Sequence, residues 1–383
     1  MDAITIPVVM VFNQNYYIPA GVAMHSMLSC AARAREGLPL FYKIHALVQG
    51  LDQHHKEKLQ ETLRAFSSFS SLEFCDLEPP TTNNQQPTTN NQQPTTNNQQ
   101  PTTNNQDAAR LYREKLSPLF KCVHPNGLAC WSSLILLRLI LPSLFPQYDK
   151  IISCDVDVVF SGDMSESYFL LGLDDPYYFA AAKGYYAGSL QAFIKERRKA
   201  ASAAGLDTTK HFLSDEEHQI IYENEFNNGF MVVNLKAWRR DDLESKCLEF
   251  FALKNHALLC AEQDATSLLC HGHVLELPRK YNKHTGICSP DTQDSKEVIM
   301  WHFVENKPWK LGATNMADVQ MWITALLRTP LRFDYFHDYY SQLKGPYPFE
   351  PMVASQRALL GFIFYKIKKK IKRFLKTLIP PRV

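Results

Sequence analysis

The segment IISCDVDVVF, residues 151–160, sets two aspartates two residues apart inside an apolar run. In an extended chain residues i and i+2 share a face, so Asp155 and Asp157 can present two carboxylates side by side at a strand end. Two hard anionic ligands at that spacing suit a divalent cation that keeps open positions for phosphate oxygens. Two solvated aspartates closing a strand would give the same pattern, and D-x-D alone does not choose. In FNNGFMVVNL (226–235), the Asn227 and Asn228 amides both donate and accept, which suits sugar hydroxyls, and Gly229 would let a ligand approach the backbone. An Asx turn opening a strand explains these residues equally. Glu262, Gln263 and Asp264 precede the helix-like run Ala265 to Cys270 and read as an N-terminal cap unless context promotes them. In WHFVENKPWK (301–310), His302 can complete a metal sphere, Lys307 can neutralise a phosphate and Trp309 can form an apolar wall. A core histidine beside aromatics is the plain alternative. The Cys270, His271, His273 cluster lacks a second half at zinc-site spacing and is rejected as a metal site.

The elements that must position these groups follow from hydrophobic patterning. Ile6 to Phe12 is a continuous apolar run suited to a buried parallel strand, followed by a helix over Ile18 to Ala34 and a strand over Phe41 to Val48. A helix from Gln53 to Phe66 leads to a strand over Leu72 to Cys75. This strand–helix alternation is that of a doubly wound α/β unit. Further along, a helix between Pro125 and Pro142, one strand from Lys150 to Phe160 and one from Phe226 to Leu235 are expected.

Within 383 residues, 45% hydrophobic and 12% aromatic, most of the chain is expected to fold, with room for two domains or one large domain with attachments. Nine scattered cysteines without a C-x-x-C pair imply neither a disulfide framework nor a zinc ribbon, which points to a reducing cytoplasm. The opening MDAITIPVVMVFNQ lacks the basic start of a signal peptide, and the run around Leu134 to Leu141 is interrupted by Arg138 and closed by Pro142, too short to span a bilayer.

Two segments stand apart. PTTNNQQ begins at Pro80, Pro87 and Pro94 and, shortened by one residue, at Pro101; without charge or large apolar residues it reads as a solvated insert. From Arg357 onward there are nine Lys/Arg and no acid, leaving 32 Lys/Arg against 39 Asp/Glu in the rest. Apolar residues at 360, 363, 364, 367, 371, 374, 375 and 378 form a helical stripe in that tail, with most lysines off it. Such an amphipathic helix suits anionic lipid, each basic side chain contributing about 1 kcal/mol, and Phe362, Phe364 and Phe374 supply insertable bulk. A nucleic-acid patch, or a solvated helix docked on an acidic body, is the lesser reading.

Taken in order, VFNQNYYIP (11–19), LLRLILP (136–142), YDKIISCDVDVVFSGDM (148–164), FNNGFMVVNLKAWRR (226–240), AEQDATSLL (261–269) and HFVENKPWK (302–310) resemble glycosyltransferase family 8, which includes bacterial lipopolysaccharide glucosyl- and galactosyltransferases. The resemblance implies a GT-A fold, a Rossmann-like mixed α/β sheet flanked by helices, over 1–310. The insert at 80–106 would interrupt it, a helical extension at 311–356 would follow, and 357–383 would be the membrane-associating tail. It places Asp155, Asp157 and His302 on Mn²⁺ or Mg²⁺, and Asn13, Asn15 and Tyr16 around uridine. It also places Val156, Arg138 and Lys307 at the nucleotide and diphosphate, and Asn227 and Gln263 at the donor sugar, Gln263 beneath the anomeric carbon. Gln263, Asn227 and Arg138 would then be the catalytic set. A UDP-hexose donor, a lipid-linked glycan acceptor, anionic inner-membrane lipids and a peripheral place on the cytoplasmic face are the implied partners and location, with no nucleic acid.

Departures from the family pattern are Asn13 where many members carry aspartate, Glu305 near an expected glycine, and Lys183 and Gly184 after the alanine-rich FAAA. Two other functions fit parts of the sequence. A haloacid-dehalogenase-type phosphatase would use Asp155 as nucleophile and Asp157 as acid/base. A membrane-bound sugar-nucleotide-binding protein would bind without turnover.

Overall fold

The computed structural model describes residues 3–77, 105–122, 132–184, 186, 188–203, 212–224, 226–254, 257–285, 297–304, 306–343, 360–361, 363–364 and 366–369. The repeat tract up to residue 104, Glu305 and most of the basic tail lie outside them. The chain forms one compact unit over Met1–Leu331 and a second over Arg332–Val383.

Among the described residues, eleven strands make two sheets: β1 (Ile4–Asn13), β2 (Ala34–Arg35), β3 (Leu38–Gln49), β4 (Ser70–Leu77), β5 (Lys150–Cys154), β6 (Val158–Phe160), β7 (Phe179–Lys183), β8 (Phe226–Asn234), β9 (Val274–Glu276), β10 (Lys283–His284) and β11 (Met300–His302). The large sheet runs β2-β3-β1-β5-β8-β7-β9, with β4 also on β3. Strands β4, β3, β1 and β5 are mutually parallel and β8 is antiparallel to both its neighbours, so the sheet is mixed. Ile6 and Val8 to Met10 are fully buried because both sheet faces are covered, which explains a continuous apolar run where alternation would mark a half-exposed strand. Each such side chain contributes about 1.5–3 kcal/mol. Helix α1 (Tyr17–Cys30) is buried on most of its circumference, from Ile18 to Met24 and again at Ser26 to Leu28.

After β1 the chain crosses to β3 on one side, while β5 pairs on the other. The order therefore reverses between β1 and β5, and the crevice at their carboxyl ends is where an open α/β sheet binds ligands. Asn13 closes β1 and Asp155 follows β5 directly, at that edge.

The expected strand from Lys150 to Phe160 is two strands. Strand β5 stays in the large sheet, and β6 joins a separate three-stranded sheet ordered β10-β11-β6. Asp155 to Asp157 are the link between them, so the two carboxylates sit at a break between sheets and not on one strand face. The apolar pattern runs through the break because residues on both sides are buried, Cys154 in one sheet and Val158 to Phe160 in the other. The first helix ends at Cys30, before the expected Ala34, which is already in β2. Of the helix expected between Pro125 and Pro142, the described part is a 3-10 segment, Ser133–Ile140, continuing into a short α-turn at Leu141–Leu144. Helix α2 (Gln53–Leu63), with Asp52 as N-cap accepting from the His55 amide at 2.9 Å, lies where expected.

Three further helices shape the site side: α3 (Leu190–Ala203), α4 (Asp215–Asn224) and α5 (Ala261–Leu269). In the second unit, α6 (Arg332–Leu343) buries Tyr335 and exposes Phe333 and Tyr340. In the tail, the described apolar residues Leu360, Ile363, Phe364 and Ile367 are exposed, while Phe362, Phe374 and the stripe from 371 on lie outside the described residues. No helix among the described residues is long and apolar enough to cross a membrane.

Candidate metal and donor site

Three groups converge at the crevice. Ligand atoms of Asp155, Asp157 and His302 all lie within 4.8 Å of one another. The His302 Nε2 stands 3.5 Å from Asp155 Oδ2 and 3.3 Å from Asp157 Oδ1. The small sheet brings this about: β11 runs antiparallel to β6 with His302 opposite Val158, next to Asp157, and the Phe303 amide donates to the Asp157 carbonyl at 3.0 Å.

Each aspartate turns its second oxygen to a cation. Lys307 Nζ donates to Asp157 Oδ2 at 2.5 Å, and the Arg138 guanidinium donates to Asp155 Oδ1. One oxygen of each carboxylate and one imidazole nitrogen are thus left facing a common point. This O₂N set fits a hard or borderline divalent cation with open positions. The other imidazole nitrogen is fixed as well, since His302 Nδ1 lies 2.9 Å from Asn282 Oδ1. Asn282 Nδ2 in turn donates to Asn227 Oδ1 at 2.8 Å, and the Gly229 amide donates to the same oxygen at 2.9 Å. A hydrogen-bonded outer partner of this kind sets ring orientation in metal sites.

The space at Gly229 is taken by the histidine. A Cβ there would lie 2.3 Å from His302 Cε1 and 2.8 Å from its Nδ1. The close approach that the glycine permits is therefore that of a buried ring. Asn227 sits beside it as part of the chain of amides that holds His302.

Arg138, 7% exposed, is the hub of the other side. Besides Asp155 it donates to Glu262 Oε1 at 2.7 Å and Ser153 Oγ at 3.4 Å. Burial pushes the Glu262 carboxyl up to about 7, with Arg138 pulling it down and Asp155 adding to the rise. Burial would likewise raise Asp157, but His302 and then Lys307 outweigh it and hold that carboxyl well below the usual range. Glu262, Gln263 and Asp264 lie in the first turn of α5, inside the helix, since Cys260 is its N-cap. Gln263 Oε1 accepts from the Asn228 amide at 3.4 Å.

At the end of β1, Asn13 caps the short turn Gln14–Tyr16 by accepting from the Asn15 amide at 3.1 Å; Asn15 is exposed. Tyr16 meets Trp309 edge to face at 5.8 Å. Burial, then Asp157 and Asp155, raise the Tyr16 phenol, which places its hydroxyl in the field of the metal carboxylates. Val156, between the two aspartates, is 6% exposed. The structure thus gathers Asp155, Asp157, His302, Lys307, Arg138 and Tyr16, with Gln263 and Asn227 joined through Glu262 and Asn282. Asn282 carries no functional signal in the sequence, and Glu262 reads there as part of an N-terminal cap that only context promotes.

Comparison with known proteins gives the following. The sequence profile described as glycosyl transferase family 8 matches residues 7–312. The lipopolysaccharide 1,2-glucosyltransferase of Escherichia coli is 26% identical over 248 residues, which are 61% of this chain and 65% of that protein. The match spans a little less than two thirds of that relative's length. Among solved structures, a WbbM bifunctional glycosyltransferase in its apo form superposes with a TM-score of 0.56 at 20% identity, covering 88% of this chain and 52% of that one. The galactosyltransferase LgtC, in complex with donor and acceptor sugar analogues, gives 0.54 at 17% identity, covering 85% and 96%. These likenesses establish the fold as GT-A.

Proposed function

The chain belongs to glycosyl transferase family 8, and on that premise we propose that it transfers glucose or galactose, with retention, from a UDP-hexose to a lipopolysaccharide-type glycan. The observation that carries this reading is the convergence of Asp155, Asp157 and His302 at the switch point of the sheet, with Arg138 and Lys307 on the outer carboxylate oxygens. That the Escherichia coli relative is a lipopolysaccharide glucosyltransferase supports the acceptor class.

Asp155 Oδ2, Asp157 Oδ1 and His302 Nε2 would hold Mn²⁺, or Mg²⁺. When bound, the cation supplies Lewis acidity at the diphosphate, where negative charge builds as the sugar–phosphate bond breaks. The chain's own residues supply the rest. Lys307 and Arg138 are fixed cations beside that charge, held in place before reaction by carboxylates. Tyr16 and Trp309 wall the uridine side, with Asn13 and Asn15 at the end of β1. Gln263 is a neutral amide, able to stabilise positive charge at the anomeric carbon but a poor nucleophile, which favours front-face departure and attack. Trapping of a glycosyl adduct on Gln263 or Glu262 would overturn that mechanism. The basic amphipathic tail would hold the enzyme on anionic lipid at the cytoplasmic face of an inner membrane, beside a lipid-linked acceptor.

The match to glycosyl transferase family 8 over residues 7–312 leaves a phosphatase of the haloacid-dehalogenase type without support. Donor hydrolysis tests the reading. The protein is incubated with Mn²⁺ or with chelator against UDP-glucose, UDP-galactose and their N-acetyl forms, and released UDP and the anomer of the freed sugar are read. Metal-dependent release from one hexose donor as the α-anomer, lost in Asp157→Ala, is expected. UDP binding without release, even with acceptor glycan present, would favour the non-catalytic binding protein.

A further inference from the structure

The first turn of α5 is held by two buried guanidinium–carboxylate pairs on either side of Gln263. Glu262 accepts from Arg138, which leads to Asp155. Asp264, fully buried, accepts from Arg197 on α3, itself 6% exposed. Asp264 Oδ2 also accepts from the Cys260 amide at 3.0 Å, so this one oxygen fastens both the start of the helix and its partner helix. Asp264 Oδ1 has no hydrogen-bond partner among the described residues.

A buried ion pair contributes little net stability, because desolvation offsets the attraction, and an apolar pair of similar volume would serve a core as well. What such a pair supplies is geometry, since the planar fork of arginine fixes both position and direction. Here the geometry bears on Gln263. Its carbonyl lies 3.1 Å from Thr266 Oγ1, its carboxamide meets the Asn228 amide, and Thr266 Oγ1 accepts from Asn228 Nδ2 at 3.2 Å. Arg197 is also supported from its own side: its guanidinium lies 5.2 Å from the Phe193 ring, and Phe193 meets His218 of α4 at 6.4 Å. The charge is thus seated in a packed helix pair.

We propose that Arg197 is a positioning residue for sugar transfer, acting through its buried pair with Asp264 to fix the turn that carries Gln263. The inference rests on the transferase reading and deepens it.

The test compares wild type, Arg197→Lys, the uncharged pair Arg197→Met with Asp264→Asn, and Arg198→Met as a control on the neighbouring exposed pair with Asp215. For each, kcat and KM for donor hydrolysis per folded molecule, UDP affinity, Tm, and hydrogen exchange of peptides covering 260–264 are measured. The lysine variant and the uncharged pair are expected to lose about a hundred-fold in kcat. UDP affinity and KM should stay within about two-fold. Exchange should quicken at 260–264 and not in β1 or β3. The control should match wild type throughout. Unchanged kcat per folded molecule, or a parallel loss of kcat, UDP affinity and Tm, would overturn the proposal and leave the pair a structural one. A wild type that neither binds UDP nor releases it would instead overturn the transferase reading, and the exchange at 260–264 would still decide whether Arg197 fixes that turn.

Discussion

Gly229→Ala tests whether His302 is held by shape. The backbone at this position is not in the left-handed region, so an alanine brings no torsional strain, only a methyl group. That methyl would sit 2.3 Å from His302 Cε1, where ordinary contact begins at 3.4 Å, so the ring must retreat by about 1 Å. It has little room, being 3% exposed and bonded to Asn282 at 2.9 Å. Overpacking of this kind costs about 1–3 kcal/mol of stability. The larger effect falls on the site. Moving Nε2 by such a distance from Asp155 Oδ2 and Asp157 Oδ1 is expected to weaken Mn²⁺ binding by about 10–100-fold and turnover by about 100-fold. Titration of Mn²⁺ by calorimetry in the presence of UDP, alongside thermal unfolding, separates the two. A folded Gly229→Ala protein with wild-type Mn²⁺ affinity would refute the argument that this glycine exists to admit the imidazole.

Asn282→Ala removes the partner of His302 Nδ1 and one of the two donors to Asn227 Oδ1; Mn²⁺ affinity should fall by about 10-fold or more while UDP binding without metal is unchanged, measured by the same titration. Arg138→Lys keeps a charge but cannot bridge Asp155, Glu262 and Ser153 together, so donor hydrolysis should drop by about 100-fold with the fold intact by circular dichroism. His45 reports on β3, where the strand is paired to both β1 and β4. Burial lowers it to about 4, with Glu73 opposing and Lys43 adding to the fall. The unfolded chain takes up a proton near pH 6.5 and the folded protein only near 4, so stability should be flat above that window and decline as pH falls through it, by about 3 kcal/mol at most. Urea unfolding at pH 7 and pH 5 should show that decline in wild type and a smaller one in His45→Asn.

The parts of this molecule that announce themselves in the sequence are those whose signals are local. The apolar runs of β1, β3 and β8 and the paired aspartates belong to single short segments, and their patterns survive whatever packs around them. Joining residues far apart is another matter. The link at Asp155 to Asp157 reads as one strand because Val156 and Val158 continue the apolar pattern, and only the pairing of β6 with β11 shows that the chain changes sheets. Gly229 reads as a ligand-facing glycine until His302, remote in sequence, is seen to fill the space. Arg138 looks like a flaw in an apolar helix; its meaning comes from Asp155 and Glu262, which lie on two other elements. Asn282 carries no local signal at all, because its work is to join Asn227 on β8 of the large sheet to His302 on β11 of the small one. The tail beyond residue 369 and the repeat tract up to residue 104 lie outside the described residues, and the readings of them rest on composition.

The account stands most directly on His302 joining Asp155 and Asp157 at one metal ion. Electron paramagnetic resonance of Mn²⁺ bound with UDP to protein carrying ¹⁵N-histidine reads this. The account predicts coupling from one imidazole nitrogen, absent in His302→Ala and absent with Asp157→Ala because the ion no longer binds. Bound Mn²⁺ whose spectrum shows no nitrogen coupling, unchanged by loss of His302, would contradict it.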